Sequence, residues 1–160
     1  MKRLAAVAAL AASLAAIAAP VDEREVAEGI SHYDAGRHAQ ALECFLPAAE
    51  AGSTSAQYHL GLMYARGEGV VRDLVTAARW FERAARAGHG HSQYILGHMN
   101  AKGEGTARDP VQAHVWFTAA AANGWWKARE AREKLVDAGM SADQVAQAAR
   151  RYRETFGKPD

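Results

Sequence analysis

The sequence has 160 residues, with 19 Lys and Arg against 18 Asp and Glu, so its formal net charge at pH 7 is only +1. This balance argues against a nucleic-acid-binding protein, because phosphate backbones are usually bound by a strongly basic surface. Cys44 is the only cysteine, which excludes an internal disulfide and leaves packing as the source of stability. The length allows one domain with a modest core.

Residues 1–19 have the pattern of a secretory signal peptide. Lys2 and Arg3 precede a run of Ala, Leu, Val and Ile, and the Ala-Ile-Ala sequence at 16–18 provides a small-x-small cleavage site. An uncleaved membrane anchor is the alternative, but the apolar run is shorter than the roughly 20 residues that a spanning helix needs. No later stretch could span a bilayer. We therefore expect a periplasmic or secreted protein without a transmembrane segment after signal removal.

Residues 22–52 carry a shortened form of a unit that recurs later in the chain. Phe45 lies 36 residues before its match Phe81, whereas Gly29 precedes Gly61 by only 32. The connection between the two helices of this first unit is therefore predicted to be shorter. Cys44 falls on the predicted inward helix face, so we expect a buried and unreactive thiol.

Residues 53–88 and 89–124 repeat one pattern at a constant offset of 36 residues. A fixed period of this size is the signature of stacked units, each of which needs a neighbour to cover its apolar face. The matching pairs include Tyr58 and Tyr94, Leu60 and Leu96, Gly61 and Gly97, Ala77 and Ala113, Trp80 and Trp116, and Gly88 and Gly124.

Each repeat is predicted to contain two helices. Apolar residues at helical spacing between 55 and 65 predict the first helix. Gly67 and Gly69 then end it, because glycine permits the positive φ of a reversing turn. Asp73 is a predicted N-cap of the second helix, whose apolar stripe runs from Ala77 to Ala85.

The second repeat follows the same plan, with Asp109 as the N-cap and Pro110 at the first helical position. If Trp80 and Trp116 are buried, truncating either to Ala should destabilise the protein by about 3–5 kcal/mol. The predicted structural core of the two repeats consists of Leu60, Gly61, Tyr64, Gly67, Gly69, Asp73, Ala77, Trp80, Gly88, Leu96, Gly97, Gly103, Gly105, Asp109, Ala113, Trp116 and Gly124.

Residues 125–160 are predicted to form C-terminal capping helices. A helical stretch covers 126–136, and Gly139 follows it as a stop signal. Ser141 and Gln144 then have the spacing of a capping box that opens a final helix reaching about Phe156. Terminal units of a stack must present a polar outer face, which suits this charged segment.

The two full repeats read AQYHLGLMYARGEGVVRDLVTAARWFERAARAG and SQYILGHMNAKGEGTARDPVQAHVWFTAAAANG. They resemble Sel1-like repeats, and the shortened unit at 22–52 is closer to a tetratricopeptide repeat. Ser92 in place of the first Ala, and Asn100 where Tyr64 stood, depart from the pattern. The resemblance implies an all-α fold, an α/α superhelix of helical hairpins, that binds a protein or peptide along its concave face. Such proteins serve as adaptors and scaffolds, and no cofactor is implied.

Residues of the first helices that lie off the packing stripe would line the concave face. Exposed aromatic and His side chains suit adaptable recognition, but packing between neighbouring repeats is the alternative. Trp125 and Trp126 raise the same question, and capping of the last repeat is the favoured interpretation there. The candidate partner-binding residues are Tyr58, His59, Leu62, Tyr94, Ile95 and His98.

Catalytic and metal sites are the competing hypotheses. His89, His91 and His98 lie close enough in sequence to suggest zinc, but no Cys or carboxylate completes a ligand spacing, so we predict neither metal nor cofactor. The Gly-Glu-Gly loops lack the strand and the Gly-Lys-Ser/Thr of a phosphate loop.

We therefore expect no enzyme, but a binding module for an unknown protein or peptide of the cell envelope. The alternative is an envelope enzyme of the β-lactam-hydrolase type, or a peptidoglycan-associated factor. Cysteine-rich Sel1-like proteins have been linked with β-lactam hydrolysis, but they carry a Cys pair in each repeat and this chain has none.

Overall fold

A computed structural model of the chain describes residues 21–157, and the predicted signal peptide lies outside them. Within this part the chain forms eight α-helices and no strand, which confirms the all-α prediction. No helix among them is long and apolar enough to cross a lipid bilayer. The helices are α1 (Glu23–Asp34), α2 (His38–Glu50), α3 (Thr54–Arg66), α4 (Leu74–Arg86), α5 (Gly90–Lys102), α6 (Pro110–Ala122), α7 (Lys127–Asp137) and α8 (Ala142–Phe156).

The helices stack as hairpins in chain order, which confirms the predicted superhelix. The pairs α1/α2, α3/α4 and α5/α6 form three hairpins, and the second helix of each hairpin packs against the first helix of the next. The first helices also contact each other, α1 with α3 and α5 with α7. We call their shared side the first-helix face. At the C-terminal end, α7 and α8 both pack on α6.

Each hairpin closes tightly because a glycine of its first helix faces a phenylalanine of its second. A Cβ added at Gly61 would lie 2.5 Å from Cε1 of Phe81, a separation that real side chains do not reach. The ring of Phe81 is almost fully buried and fills the space that a side chain would take. The three such pairs are Gly29 with Phe45, Gly61 with Phe81, and Gly97 with Phe117.

The hydrophobic core of the described residues consists of three clusters, and each draws side chains from neighbouring units of the stack. The first joins Phe45 of α2 to Leu60 and Met63 of α3. The second contains Phe81 of α4 and Trp116 of α6. The third lies between α6 and α8. Because every cluster spans a junction, one hairpin cannot bury its apolar face without the next.

The glycine-containing loop between the two helices of each full repeat contacts the hairpin before it. Gly69 lies against His38 at the start of α2, and Gly105 lies against Leu74 at the start of α4. At the first of these junctions the hydroxyl of Tyr33 donates a hydrogen bond to Glu68 at 2.6 Å. Burial, followed by this bond, raises the pKa of Tyr33 to about 12.

The predicted helix starts are confirmed. The carboxylate of Asp73 accepts hydrogen bonds from the backbone N–H groups of Val75 and Thr76 at the start of α4. The carboxylate of Asp109 accepts from the backbone N–H of Gln112 at the start of α6, with Pro110 at the first helical position. Ser141 opens α8 with the predicted capping box.

Three side chains are less buried than the sequence suggested, those of Trp80, Tyr64 and Cys44. Trp116 is 5% exposed, with the ring of Phe156 at 5.7 Å, but Trp80 is only half-buried. The two differ because α8 covers Trp116, whereas Trp80 lies beside the exposed Arg83, whose guanidinium is 4.7 Å from its ring. Tyr64 is half-buried, and so is Cys44. Burial and then nearby glutamates still raise the pKa of the Cys44 thiol, which favours the unreactive form.

Candidate functional site

The six candidate binding residues all lie half-buried on the first-helix face, but they do not form one surface. The ring centroid of Tyr58 lies 4.9 Å from that of His89 and 5.1 Å from that of His91. Together with Leu62 and Ile95, Tyr58 packs against the second core cluster. These three side chains therefore fill the junction between α3 and α5, as the packing alternative anticipated.

His59 occupies the junction one step earlier. Its ring stacks on Phe45 with centroids 4.9 Å apart, and it meets Tyr33 edge-on at 5.5 Å. Its Nδ1 lies 2.8 Å from the carbonyl oxygen of Ser55, so Nδ1 is the protonated nitrogen that donates. The ring is held on both sides, which leaves little of it available to a partner.

Tyr94 and His98 have a different environment. Both line an open groove of about 330 Å³ between α5 and α7, which we call the α5/α7 groove. Leu135 of α7 contributes apolar surface, the almost fully buried Phe117 of α6 lies beneath it, and Trp126 lies at the edge of the groove. The Phe117 ring centroid lies 5.0 Å from that of His98. Of the six predicted residues, the structure places two beside open space.

The groove exists because α7 carries smaller and more polar residues than α5 at matching positions. Ala131 lies 36 residues after Ile95, and Lys134 lies 36 residues after His98. Ile95 packs into the preceding junction, whereas Ala131 is too short to fill the equivalent volume. The missing side-chain volume at Ala131 leaves the floor of the groove uncovered.

Charged residues lie along the α7 side of the groove. Lys134 donates to Glu130 at 2.6 Å, and the ammonium of Lys127 lies 5.1 Å from the ring of Trp126. Burial, followed by the nearby Lys102, lowers the pKa of His98 below its ordinary 6.5. His98 is therefore neutral at pH 7, and the two lysines outnumber the one glutamate.

The adjacent tryptophans have separate roles. Trp125 is half-buried and stacks on His91 with ring centroids 4.1 Å apart, which caps the last repeat as predicted. Trp126 is 74% exposed and borders the groove. A large aromatic side chain in this position is a typical binding anchor.

Sequence reasoning missed the α7 half of this site. The repeat pattern favours a cap at Trp126 and a polar terminal segment around Lys127, Ala131 and Lys134. Continuing the offset of 36 residues beyond 124 gives Ala131 as the counterpart of Ile95. This replacement of a large side chain by a small one was the sequence signal that could have indicated an unfilled junction.

The His cluster considered for zinc does not form a metal site in the described part of the chain. Residues 21–157 contain no group of three or more His, Cys, Asp or Glu side chains that could hold a metal ion. Instead, Nδ1 of His89 lies 2.8 Å from the Ser92 hydroxyl, and His91 stacks on Trp125. The Glu68 carboxylate is hydrogen bonded to Tyr33, in keeping with a structural loop.

Comparisons with known proteins agree with this architecture. The family model for the Sel1 repeat matches residues 35–53, 54–89 and 90–125. The chain is similar to c5321, described as a protective antigen of uropathogenic Escherichia coli displaying an SLR fold, with TM-score 0.78 and 31% identity over 84% of this chain. It is also similar to a Sel1 repeat protein from Oxalobacter formigenes, with TM-score 0.68 and 28% identity over 81% of this chain. No curated protein matches it.

The chain spans only 30% and 55% of the length of those two solved structures. In the first hairpin the family match begins at residue 35 and so includes α2 but not α1. The three matched segments cover more than half of the chain, and the second and third coincide with complete helical hairpins of a fold typical of protein–protein interaction modules. The chain belongs to the Sel1 repeat family.

Proposed function

We propose that this protein is an exported, non-enzymatic interaction module that binds a protein or peptide of the cell envelope along its first-helix face. The α5/α7 groove is the main contact in this proposal. The groove is the observation that carries it, because the neighbouring junctions are filled by their own side chains. Export rests on the signal-peptide pattern of residues 1–19.

The lining of the groove suits a peptide ligand. Leu135 and the ring of Tyr94 offer apolar surface at its base, above the buried Phe117, and Trp126 supplies an exposed aromatic edge. Binding energy in protein interfaces concentrates on such aromatic anchors around a desolvated centre. A side chain inserted from a partner would replace the volume that Ile95 fills in the preceding junction.

A variant that fills the groove tests the proposal. Ala131→Ile restores the residue type that the preceding repeat carries, so we expect an intact fold with stability unchanged or raised. Partner capture should be lost, because the inserted side chain occupies the binding volume. The measurement is affinity purification with cross-linking from the native envelope, together with thermal unfolding of both proteins.

Ala149→Ile is the matched control, because it introduces the same side chain at an exposed position of α8. This control should capture the same partners as the unmodified protein. If Ala131→Ile folds normally and still captures them, the groove is not the contact and the proposal is wrong.

A further inference from the structure

We propose that the α5/α7 groove selects an extended peptide segment in which an apolar side chain is flanked by acidic residues. This inference rests on the proposed function and adds the chemistry of the partner. It follows from two features of the groove: an apolar base of limited volume and an excess of positive charge along one edge.

The base of the groove determines the apolar part of the ligand. Its volume of about 330 Å³ accommodates one large side chain and the adjoining backbone, but not a folded element. The surface around it comes mainly from the ring of Tyr94 and the methyl groups of Leu135, above the almost fully buried Phe117. Removing an aliphatic or aromatic side chain from water into such a site is favourable.

The α7 edge determines the charge of the flanking residues. Lys127 and Lys134 both line the groove, against the single carboxylate of Glu130. Glu130 already accepts a hydrogen bond from Lys134, and His98 adds no charge at neutral pH because burial lowers its pKa. The ammonium of Lys102, near His98, lies 3.9 Å from a carboxylate oxygen of Glu104. This pair of opposite charges leaves the net charge around the groove unchanged. An acidic segment therefore complements this edge, and a basic one is repelled.

The position of Lys127 connects the two features. Its ammonium lies 5.1 Å from the ring of Trp126, so one end of the groove presents a cation next to an exposed aromatic face. A carboxylate that reaches Lys127 brings the preceding or following side chain onto Trp126. The previous junction lacks this arrangement, because His91 occupies the position that matches Lys127.

The test uses the full chain and an immobilised peptide array. Each peptide has a central Leu, Phe or Met flanked on both sides by Asp, by Ser or by Lys. We expect retention of the Asp-flanked set, roughly fivefold weaker binding of the Ser-flanked set, and no binding of the Lys-flanked set. Raising the salt concentration should reduce the advantage of the Asp-flanked peptides, because exposed charge pairs are screened.

Two variants separate the charge from the cavity. The double variant Lys127→Glu/Lys134→Glu should reverse the order and retain the Lys-flanked peptides, whereas Ala131→Ile should abolish binding of all sets. Circular dichroism confirms that each variant is folded. Reversal of the preference by the double variant supports the proposal directly.

The outcomes distinguish this inference from the proposed function. If all three sets bind equally, or if the Lys-flanked peptides bind best, the acidic preference is wrong, and the effect of Ala131→Ile on their binding decides separately whether the groove is the binding site. If the Asp-flanked peptides bind and Ala131→Ile does not weaken them, they bind elsewhere and the inference is overturned. If no set binds, the inference is overturned, and partner capture in the envelope experiment then decides the proposed function separately.

Discussion

Two equivalent glutamines in the full repeats have different hydrogen bonding. The side-chain amide of Gln57 donates to the carbonyl of Ala49, and that of Gln93 donates to the carbonyl of Ala85. The Gln93 oxygen also accepts from Asn123 at 3.0 Å. The Gln57 oxygen is buried without a protein partner. A buried polar atom left in this state is destabilising.

The missing partner of Gln57 can be supplied by one substitution. Ala87 lies 36 residues before Asn123 and, like it, directly follows a second helix. We expect Ala87→Asn to raise the free energy of unfolding by about 1 kcal/mol, since it adds a hydrogen bond to a buried acceptor. Asn123→Ala should lower it by a similar amount. Urea denaturation measures both changes.

A double-mutant cycle isolates the proposed bond. In a Gln57→Leu background the new asparagine has no oxygen to donate to. The increase in the free energy of unfolding from Ala87→Asn should therefore disappear. A gain that persists in this background would show that the introduced amide stabilises the protein by another route.

The turn between the two helices of a repeat does two tasks with two glycines. Gly103 ends α5 in a left-handed conformation, with φ of 77°. Gly105, with φ of 70°, lies so close to the preceding hairpin that an added Cβ would overlap the carbonyl group of Leu74. The recurrence of this loop in both repeats reflects contact between hairpins as well as reversal of the chain.

Alanine substitutions separate these two demands. Gly105→Ala introduces both an unfavourable φ and a clash with rigid backbone, so it should destabilise the protein by more than about 3 kcal/mol. Gly124→Ala is the matched control, because Gly124 has φ of 80° but nothing within 4 Å of an added Cβ. This control should lose only about 1–2 kcal/mol. Thermal unfolding compares the two, and equal losses would contradict a role in hairpin contact.

The helices and their order could be predicted because their signals are local. Apolar spacing, Asp73 and Asp109 as N-caps, and the capping box at Ser141 all act within a few residues. The difference between Trp80 and Trp116 could not be predicted in this way. It depends on whether a distant helix, here α8 through Phe156, reaches the same surface.

The stack as a whole places histidines at its inter-repeat contacts. His89 caps α5, and its Nδ1 lies 3.3 Å from the backbone N–H of Ser92 as the acceptor. Its ring also contacts Tyr58 of the preceding repeat. Protonation of Nδ1 would remove this acceptor and place a cation at a helix N-terminus, where the helix dipole is unfavourable. The arrangement therefore requires a neutral ring.

These contacts predict loss of stability in weak acid. Burial is the largest cause that lowers the pKa values of His89, His91, His98 and His114 below 6.5. Below pH 6.5 the unfolded chain therefore binds more protons than the folded one. Stability is complete above that pH and falls as the pH drops through the lowered values.

A variant at the cap of α5 tests the acid response. His89→Ser supplies the residue that caps α3, Ser53, and it cannot become charged. We expect its free energy of unfolding to fall less steeply between about pH 7 and 5 than that of the unmodified protein. Urea denaturation at several pH values measures the slopes, and identical slopes would exclude His89 from the response.

The binding surface was harder to predict than the stack. The repeat pattern placed Tyr58, Leu62, Tyr94 and His98 on one face of the first helices. It could not show which of them a neighbouring helix covers. That depends on the volume of the opposing side chain, which is Ile95 at one junction and Ala131 at the next. The burial of a first-helix side chain therefore depends on the residues of the next unit as well as on its own repeat.

The junction formed by Tyr33 has a mechanical consequence. Its hydroxyl accepts from Arg66 at 2.9 Å and donates to Glu68, which ties the first hairpin to the loop of the second. The position that matches Tyr33 in the second hairpin is Ala65, which has no hydroxyl to offer Glu104. We therefore expect the molecule to be stiff at its N-terminal joint and more compliant at the following one. Both walls of the groove, α5 and α7, lie beyond the more compliant joint, so bending there would turn the groove as one piece relative to the first half of the stack and leave its width unchanged.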